Sequence, residues 1–493
     1  MHRTLPIVKS TLNILNKSRI EYCHFKSNEH LEAALSGDTD LDILFALDES
    51  EKVNELLLKL GYHKFKTAWF VSYPYVEDYI AISEGKIVHI HAHFRLILGE
   101  SKVKSYILSW EDLILKNRVY LKGYDIYTSR SDEEMLLLIV RIALKLPLIP
   151  SNYQNKRDVK DARIEFEWLK KRVTREEITQ LAQSKFGKRI VESIGLIYDE
   201  NINYKNIKFF HKNAKKELAK YRRYTYAKSN IIRLQRRIAY VLTILNRKLN
   251  IFPSIKNHRT LNKNGIVITL MGADGSGKST QVNRLVNILS KKMDVRYIYM
   301  GSGNGPSSWH RNILKFAFRI IKRKRKKSKV NKEVSQTTPK FIFSLINFIS
   351  LAIEKRNKLK RLQLFRKKGM ICITDRYPQT QINGYNDGLH LANWQNSTNL
   401  IKKMLSTFEY KCYNLSNNIT PNLVIKLIGD LDLLGSRRQE MTTAEIKKKQ
   451  DGIKAIHFDK SVQVYELDAS LDRNTLTNMI LEIIFQKMKS DQA

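Results

Sequence analysis

The sequence predicts an α/β protein, and three observations lead to that class. A glycine-rich loop containing a lysine sits between a strand-like and a helix-like stretch. Strand and helix signals alternate from residue 265 to the end, and short β-rich runs alternate with helical patterns before residue 130. The C-terminal half is expected to be a parallel sheet with flanking helices. The N-terminal region reads as a separate α/β domain, and the stretch between them as a basic helical segment.

With 493 residues the chain is too long for one ordinary core, so two or three domains are expected. In residues 1–130, runs such as Asp42-Ile43-Leu44-Phe45 and Ile87-Val88-His89-Ile90 read as strands, and Ser50 to Leu60 as a helix. Residues 131–252 read as helical. Ser131-Asp132-Glu133-Glu134 offers an N-cap and an acidic first turn before Met135-Leu136-Leu137-Leu138-Ile139-Val140. Periodicity fails around Pro253, which marks a boundary, and residues 265–493 form the third segment.

Apolar residues make up 43% of the chain, enough to build these cores. Its three cysteines, Cys23, Cys372 and Cys412, lack metal-ligand spacing, and the N-terminus does not resemble a signal peptide, so a cytoplasmic location is expected. The net charge of +39 calls for an acidic partner: nucleic acid, an anionic membrane surface, or a phosphorylated or lipid-linked substrate. Charge does not choose among these, and a genome biased toward lysine gives the same excess. No run reaches the ~18 to 20 apolar residues that span a bilayer. The nearest, Phe341 to Ile349, follows the basic run Lys322 to Lys327, a pairing that suits a buried helix after a solvated loop or, as the second reading, a peripheral position at the inner face of a membrane. The basic helices from Lys205 to Lys248, with Tyr221, Tyr224 and Tyr226 interleaved, would suit a nucleic-acid backbone or a solvated face.

The chemistry concentrates in Gly272-Ala273-Asp274-Gly275-Ser276-Gly277-Lys278-Ser279-Thr280, which follows the apolar run Ile266 to Leu270. This fits G-x-x-x-x-G-K-[ST]: glycines allow backbone N–H groups to point inward at phosphate oxygens, Lys278 reaches the terminal phosphates, and Ser279 ligates Mg²⁺. The ligand implied is ATP with Mg²⁺. A second buried-strand run, Met370 to Thr374, ends in Asp375-Arg376-Tyr377-Pro378. An acid there can hold the metal or its water, and the adjacent arginine can grip an acceptor phosphate. A third run, Asn422 to Leu427, leads to Ser436-Arg437-Arg438-Gln439-Glu440, where Arg437 or Arg438 would close over the phosphates as a lid.

These motifs, with the terminal run Val464 to Ser470, resemble the thymidylate kinase family from about Gly265 to the C-terminus. The resemblance implies a P-loop kinase fold, with Lys278 and Ser279 on ATP phosphates and Mg²⁺. It also implies that Asp274 faces the acceptor and that Asp375 and Arg376 serve metal and acceptor phosphate. The family's acceptor-binding Arg-Pro-Gly element is replaced by Met300-Gly301-Ser302-Gly303-Asn304-Gly305, and residues 306–368 are longer and more basic than a plain nucleotide kinase needs. With Glu409 and Tyr413, the pattern also resembles thymidylate kinase-like proteins found with polysaccharide-assembly enzymes. The acceptor is expected to be a nucleoside monophosphate such as dTMP, or alternatively a phosphorylated or lipid-linked saccharide. A nucleic-acid end-processing protein is a further alternative.

In the N-terminal domain Asp40 and Asp42, either side of Leu41, would project to one strand face and could hold a divalent metal. With Phe25-Lys26-Ser27 separated from Asp40 by twelve intervening residues, they resemble the nucleotidyltransferase superfamily of DNA polymerase beta type. Lys26 stands where that superfamily has glycine, and His91, flanked by His89 and His93, takes the position of its third carboxylate. Finally, Lys449-Gln450-Asp451-Gly452 matches a nucleotidyl-ligase motif outside that fold and is expected to be coincidental.

Overall fold

The computed structural model describes residues 3–145, 153–249, 255–256, 258–301, 338–437 and 441–492. Contacts divide the chain into two compact units, residues 1–259 and 260–493.

In the first unit the strands β1 (Tyr22–His24), β2 (Leu41–Phe45), β3 (His63–Lys66), β4 (Val76–Ser83) and β5 (Lys86–His93) precede a hairpin of β6 (Leu96–Leu98) and β7 (Tyr106–Leu108). The strands β8 (Val119–Leu121) and β9 (Ile126–Thr128) follow. The sheet order β3-β4-β5-β2-β1-β9-β8 is mixed: β2 runs parallel to β5 and antiparallel to β1, and β5 runs antiparallel to β4.

Alternation along β2 sends Ile43 and Phe45 into one core and Leu44 into another, because successive strand side chains point to opposite faces. The first core takes Val8, Leu12 and Leu15 from the helix Pro6–Lys17, residues spaced to lie on one face, with Pro6 preset at the helix start. The second core lies with the helices Ser131–Lys145, Tyr153–Lys170, Arg175–Gln183, Lys188–Glu200 and Tyr204–Leu218. The middle helices therefore share a core with Phe25, Leu44 and Leu96 instead of standing apart as the separate segment expected from the sequence. Helix Ser131–Lys145 is buried along almost its whole length, as an apolar core helix must be.

In the second unit, after a short strand β10 (Thr260–Leu261), the strands β11 (Val267–Gly272), β12 (Val295–Tyr299), β13 (Ile371–Asp375), β14 (Leu423–Ile428) and β15 (Gln463–Asp468) form a parallel sheet. Its order is β12-β13-β11-β14-β15. β11 is buried at every residue, which is why its sequence is an apolar run interrupted only by Thr269. That hydroxyl is satisfied by Thr374 on β13 at 2.8 Å. Helix Thr338–Lys367 buries Leu351, Ala352, Leu359, Leu362 and Phe365. The apolar run Phe341 to Ile349 lies in the first half of this helix, where Ile346 is 46% exposed. Among the described residues no helix is long and apolar enough to cross a membrane. The basic run Lys322 to Lys327 lies outside the described residues.

Candidate active site

In the second unit the loop after β11 and the end of β13 lie side by side, because β13 is the hydrogen-bonded neighbour of β11, with Leu270 opposite Asp375. This is the carboxyl edge of a parallel sheet, where open α/β folds bind ligands. The loop is built by its glycines. Gly275 and Gly277 have φ of 90° and 78°, in the left-handed region that glycine enters without steric cost. A Cβ on Gly272 would lie 2.3 Å from Ser276 Oγ and 3.1 Å from the Leu427 carbonyl, so the loop closes only around a bare Cα. Helix Lys278–Leu289 starts from Gly277 and directs its first free N–H groups into the loop, a ready anion site.

Lys278 is 6% exposed, and its ammonium lies 3.3 Å from the Ala273 carbonyl and 3.4 Å from Asp274 Oδ1. Burial lowers its pKa, reinforced by Arg376 and opposed by Asp274 and Asp375. Ser279 Oγ donates to Asp375 Oδ2 at 2.7 Å, while the other oxygen, Asp375 Oδ1, is buried with no hydrogen-bond partner among the described residues. A buried carboxylate with one oxygen unused, beside a hydroxyl, is a hard-oxygen donor set of the kind that takes a small divalent cation. Ser276 Oγ, inside the loop, is likewise buried and unpartnered.

A polar pocket of about 740 Å³ opens from the loop. Residues Gly275 to Thr280 form one wall, and Arg284, Arg437, Ala469, Ser470 and Arg473 lie on others. Arg437 Nη1 contacts the carbonyls of Gly275 (3.3 Å) and Ala469 (3.4 Å) from the C-cap of helix Leu431–Ser436. Arg438 lies outside the described residues.

Asp274 carries the other half of the site. Its Oδ1 accepts from Arg376 Nη2 at 2.8 Å and its Oδ2 from Lys449 Nζ at 2.7 Å, with Lys278 close by. Burial alone would raise its pKa, but the Lys449 hydrogen bond and the charges of Lys278 and Arg376 hold it well below the usual carboxylate range. Arg376 has φ of 71°, an unfavourable conformation for a residue with a Cβ, retained at the turn leaving β13. Its guanidinium also lies 3.5 Å from Asp387, which is paired with the buried Lys355 at 3.3 Å. A Cβ on Gly301 would come within 3.0 Å of Arg376 Cδ and 2.5 Å of the Tyr299 hydroxyl, so glycine is needed beside this arginine.

Lys449 belongs to the run dismissed from sequence as coincidental. Its lysine contacts the loop acid. The pair Lys355 and Asp387 had no motif to announce it. Glu409 and Tyr413 sit behind this layer: Glu409 accepts from the backbone N–H groups of His390 and Leu391, and Tyr413 lies under the Lys355 ammonium at 4.7 Å.

In the first unit Asp42 on β2 lies opposite His91 on β5. Asp42 Oδ1 is 3.0 Å from Lys26 Nζ, 3.1 Å from His91 Nδ1 and 3.5 Å from His93 Nε2. Asp40 meets His89 at 2.9 Å. The nearby carboxylate that sequence reading missed is Asp78 on β4, which accepts from His89 Nε2 at 2.8 Å and lies 2.9 Å from Arg259. Among the described residues Asp40, Asp42 and Asp78 do not form a three-carboxylate cluster; Asp42 converges instead with His91 and His93, and a separate carboxylate group is formed by Glu29, Glu134 and Glu165.

No protein-family model matches the chain. The thymidylate kinase from Candida albicans aligns at 16% identity over 46% of this chain and 93% of its own, with a TM-score of 0.28. The Escherichia coli K12 "uncharacterized ATP-binding protein YghR" is 23% identical over 204 residues, 41% of this chain and 80% of YghR. The "uncharacterized ATP-binding protein YghS" of the same strain is 30% identical over 204 residues, 41% of this chain and 85% of YghS. Over that shared length the chain belongs to the family of YghS.

Proposed function

We propose that residues 260–493 are an ATP-dependent phosphotransferase. The observation that carries this reading is the pairing of Ser279 with Asp375, one carboxylate oxygen left over, at the mouth of a complete phosphate loop. The names of YghS and YghR, both called ATP-binding, agree with it. Loop N–H groups and Lys278 would hold the ATP phosphates, and Arg437, with Arg284 and Arg473 on the same pocket, would draw charge from the transferring group. Ser279 and Asp375 would hold Mg²⁺, which supplies charge neutralisation between the phosphates.

Arg376 and Lys449, both now on Asp274, would turn to the phosphate of the acceptor, so that Asp274 fills the anion position of the resting enzyme. The acceptor on this reading is a phosphorylated small molecule, first of all a nucleoside monophosphate such as dTMP. A phosphorylated or lipid-linked saccharide is the second reading, favoured by the lack of an arginine in Met300 to Gly305. Purified chain given ATP and both acceptor classes tests this. Transfer to either, abolished in Lys278→Ala, is expected; transfer to neither would overturn it.

The membrane is the macromolecular partner this reading adds. Helix Tyr226–Leu249 contains six Lys or Arg and no acid, and it exposes Ile231, Leu234, Ile238, Val241, Leu242 and Leu245 while burying Ser229 and Thr243. An apolar stripe turned outward and framed by cations suits the interface of an anionic bilayer. Flotation of the chain with phosphatidylserine vesicles, lost in Leu234→Asp/Ile238→Asp, is the expected result. Flotation unchanged in the double variant, or self-association that the variant abolishes, would count against it, as would salt-sensitive RNA or DNA binding lost in the same variant.

A further inference from the structure

The phosphotransfer reading leaves two converging groups of the other unit unused, Glu29 with Glu134 and Glu165, and Asp42 with His91 and His93, and only the second offers nitrogen ligands. Asp42 Oδ1, His91 Nδ1 and His93 Nε2 form a triangle with sides of 3.1, 3.3 and 3.5 Å. Ligands at zinc's usual 2.0 to 2.1 Å in tetrahedral geometry are separated by about 3.3 to 3.4 Å, so the triangle has the dimensions of one tetrahedral face. We propose that Asp42, His91 and His93 bind a zinc-class divalent transition ion, leaving a fourth position open toward the adjacent cavity.

Backbone placement explains why the atoms converge. Asp42 and His91 are direct partners across the parallel β2/β5 pair, and His93 is two residues along on the same face. The two ring nitrogens face each other at 3.3 Å while both face the same carboxylate oxygen, so no placement of ring protons satisfies all three contacts at once. Two lone pairs and a carboxylate around one ion would all be attractive. His93 is 6% exposed, so packing fixes its ring beside Asp42. The outer nitrogen of His91 lies 3.9 Å from Asp78, which is fixed in turn by His89 and Arg259, giving a ligating histidine a carboxylate behind it.

Lys26 occupies the cation position in the present arrangement, 3.0 Å from Asp42. It would swing away as the ion enters. The open position faces a cavity of about 90 Å³ that also carries Lys104 and Arg141, so an ion-bound water and an anionic ligand would be the occupants favoured there. Two imidazoles and one carboxylate are a donor set for zinc, cobalt or iron, not the all-oxygen set that magnesium prefers.

The experiment uses the full chain, stripped of metal with a chelator and titrated with Co²⁺ in excess Mg²⁺, which occupies the phosphate-loop site. One equivalent of Co²⁺ with the intense visible bands of four-coordinate cobalt is expected, displaced by Zn²⁺. Asp42→Asn, His93→Ala and His91→Ala should each weaken it about a hundred-fold or more, and Lys26→Met should tighten it at least about ten-fold, by removing a competing charge. Lys278→Ala should bind as the parent does. Thermal unfolding of each variant without metal identifies any that fails to fold, and the remaining ligand variants decide. No Co²⁺ bound in excess Mg²⁺, a weak six-coordinate spectrum, or binding unchanged in the folded ligand variants would overturn the proposal.

Discussion

Ser279 donates its hydroxyl to Asp375 across 2.7 Å, joining the phosphate loop to the end of the neighbouring strand and leaving one buried carboxylate oxygen with no partner among the described residues. A buried carboxylate oxygen without a hydrogen-bond partner is a place for a cation to bind. Asp375→Asn should therefore lower Mg²⁺-dependent phosphotransfer by about two orders of magnitude, the loss of a few kcal/mol of transition-state stabilisation. The melting temperature of the ligand-free protein should stay level, since asparagine keeps the shape and an oxygen that accepts from Ser279. A large fall in ligand-free stability would show that Asp375 is a structural residue instead.

Asp274 gathers three cations, and its substitution should free them. In Asp274→Asn, sulfate or inorganic phosphate should raise the melting temperature more than it does in the parent, because Lys449 and the Arg376 Nη2 group lose the carboxylate they share. Equal shifts in the two proteins would mean that the cations do not turn to an external anion.

Gly272 tests the loop's geometry. Gly272→Ala brings a methyl to 2.3 Å from Ser276 Oγ, and overpacking of this kind costs about 1 to 3 kcal/mol. Adding Ser276→Ala removes that atom and should recover part of the stability, measurable as a coupling energy in a double-mutant cycle. Additive losses would place the strain elsewhere, at the Leu427 carbonyl.

What the sequence disclosed follows a physical divide. Residues 265 to 280 and 370 to 378 were legible because a buried parallel strand is an unbroken apolar run and a phosphate loop needs its glycines at fixed spacing. Lys449, Lys355 and Asp387 were not, because they come from segments far apart in the chain and no local rule pairs them. Asp78 was hidden for the same reason: it reaches the histidine row only through the antiparallel register of β4 on β5. The middle helices looked independent because helical periodicity is local, whereas the core they share with Phe25 and Leu44 is not.

The first unit carries its own pH response in Glu134, 2% exposed on helix Ser131–Lys145. Burial, with Glu165 and Glu29 nearby, raises its pKa from 4.5 to about 7 against the hydrogen bonds donated by Asn28. Between those two values the folded chain holds a proton that the unfolded chain has released, so this group makes stability fall as pH rises from about 4.5 to about 7. The full effect is at most ~3 kcal/mol, because each tenfold difference in proton affinity between the folded and unfolded chain is worth ~1.4 kcal/mol. Glu134→Gln, neutral at every pH, should flatten the decline in urea midpoint between pH 5 and pH 8 and leave the variant more stable than the parent at the upper end. An undiminished slope would assign the response to another group.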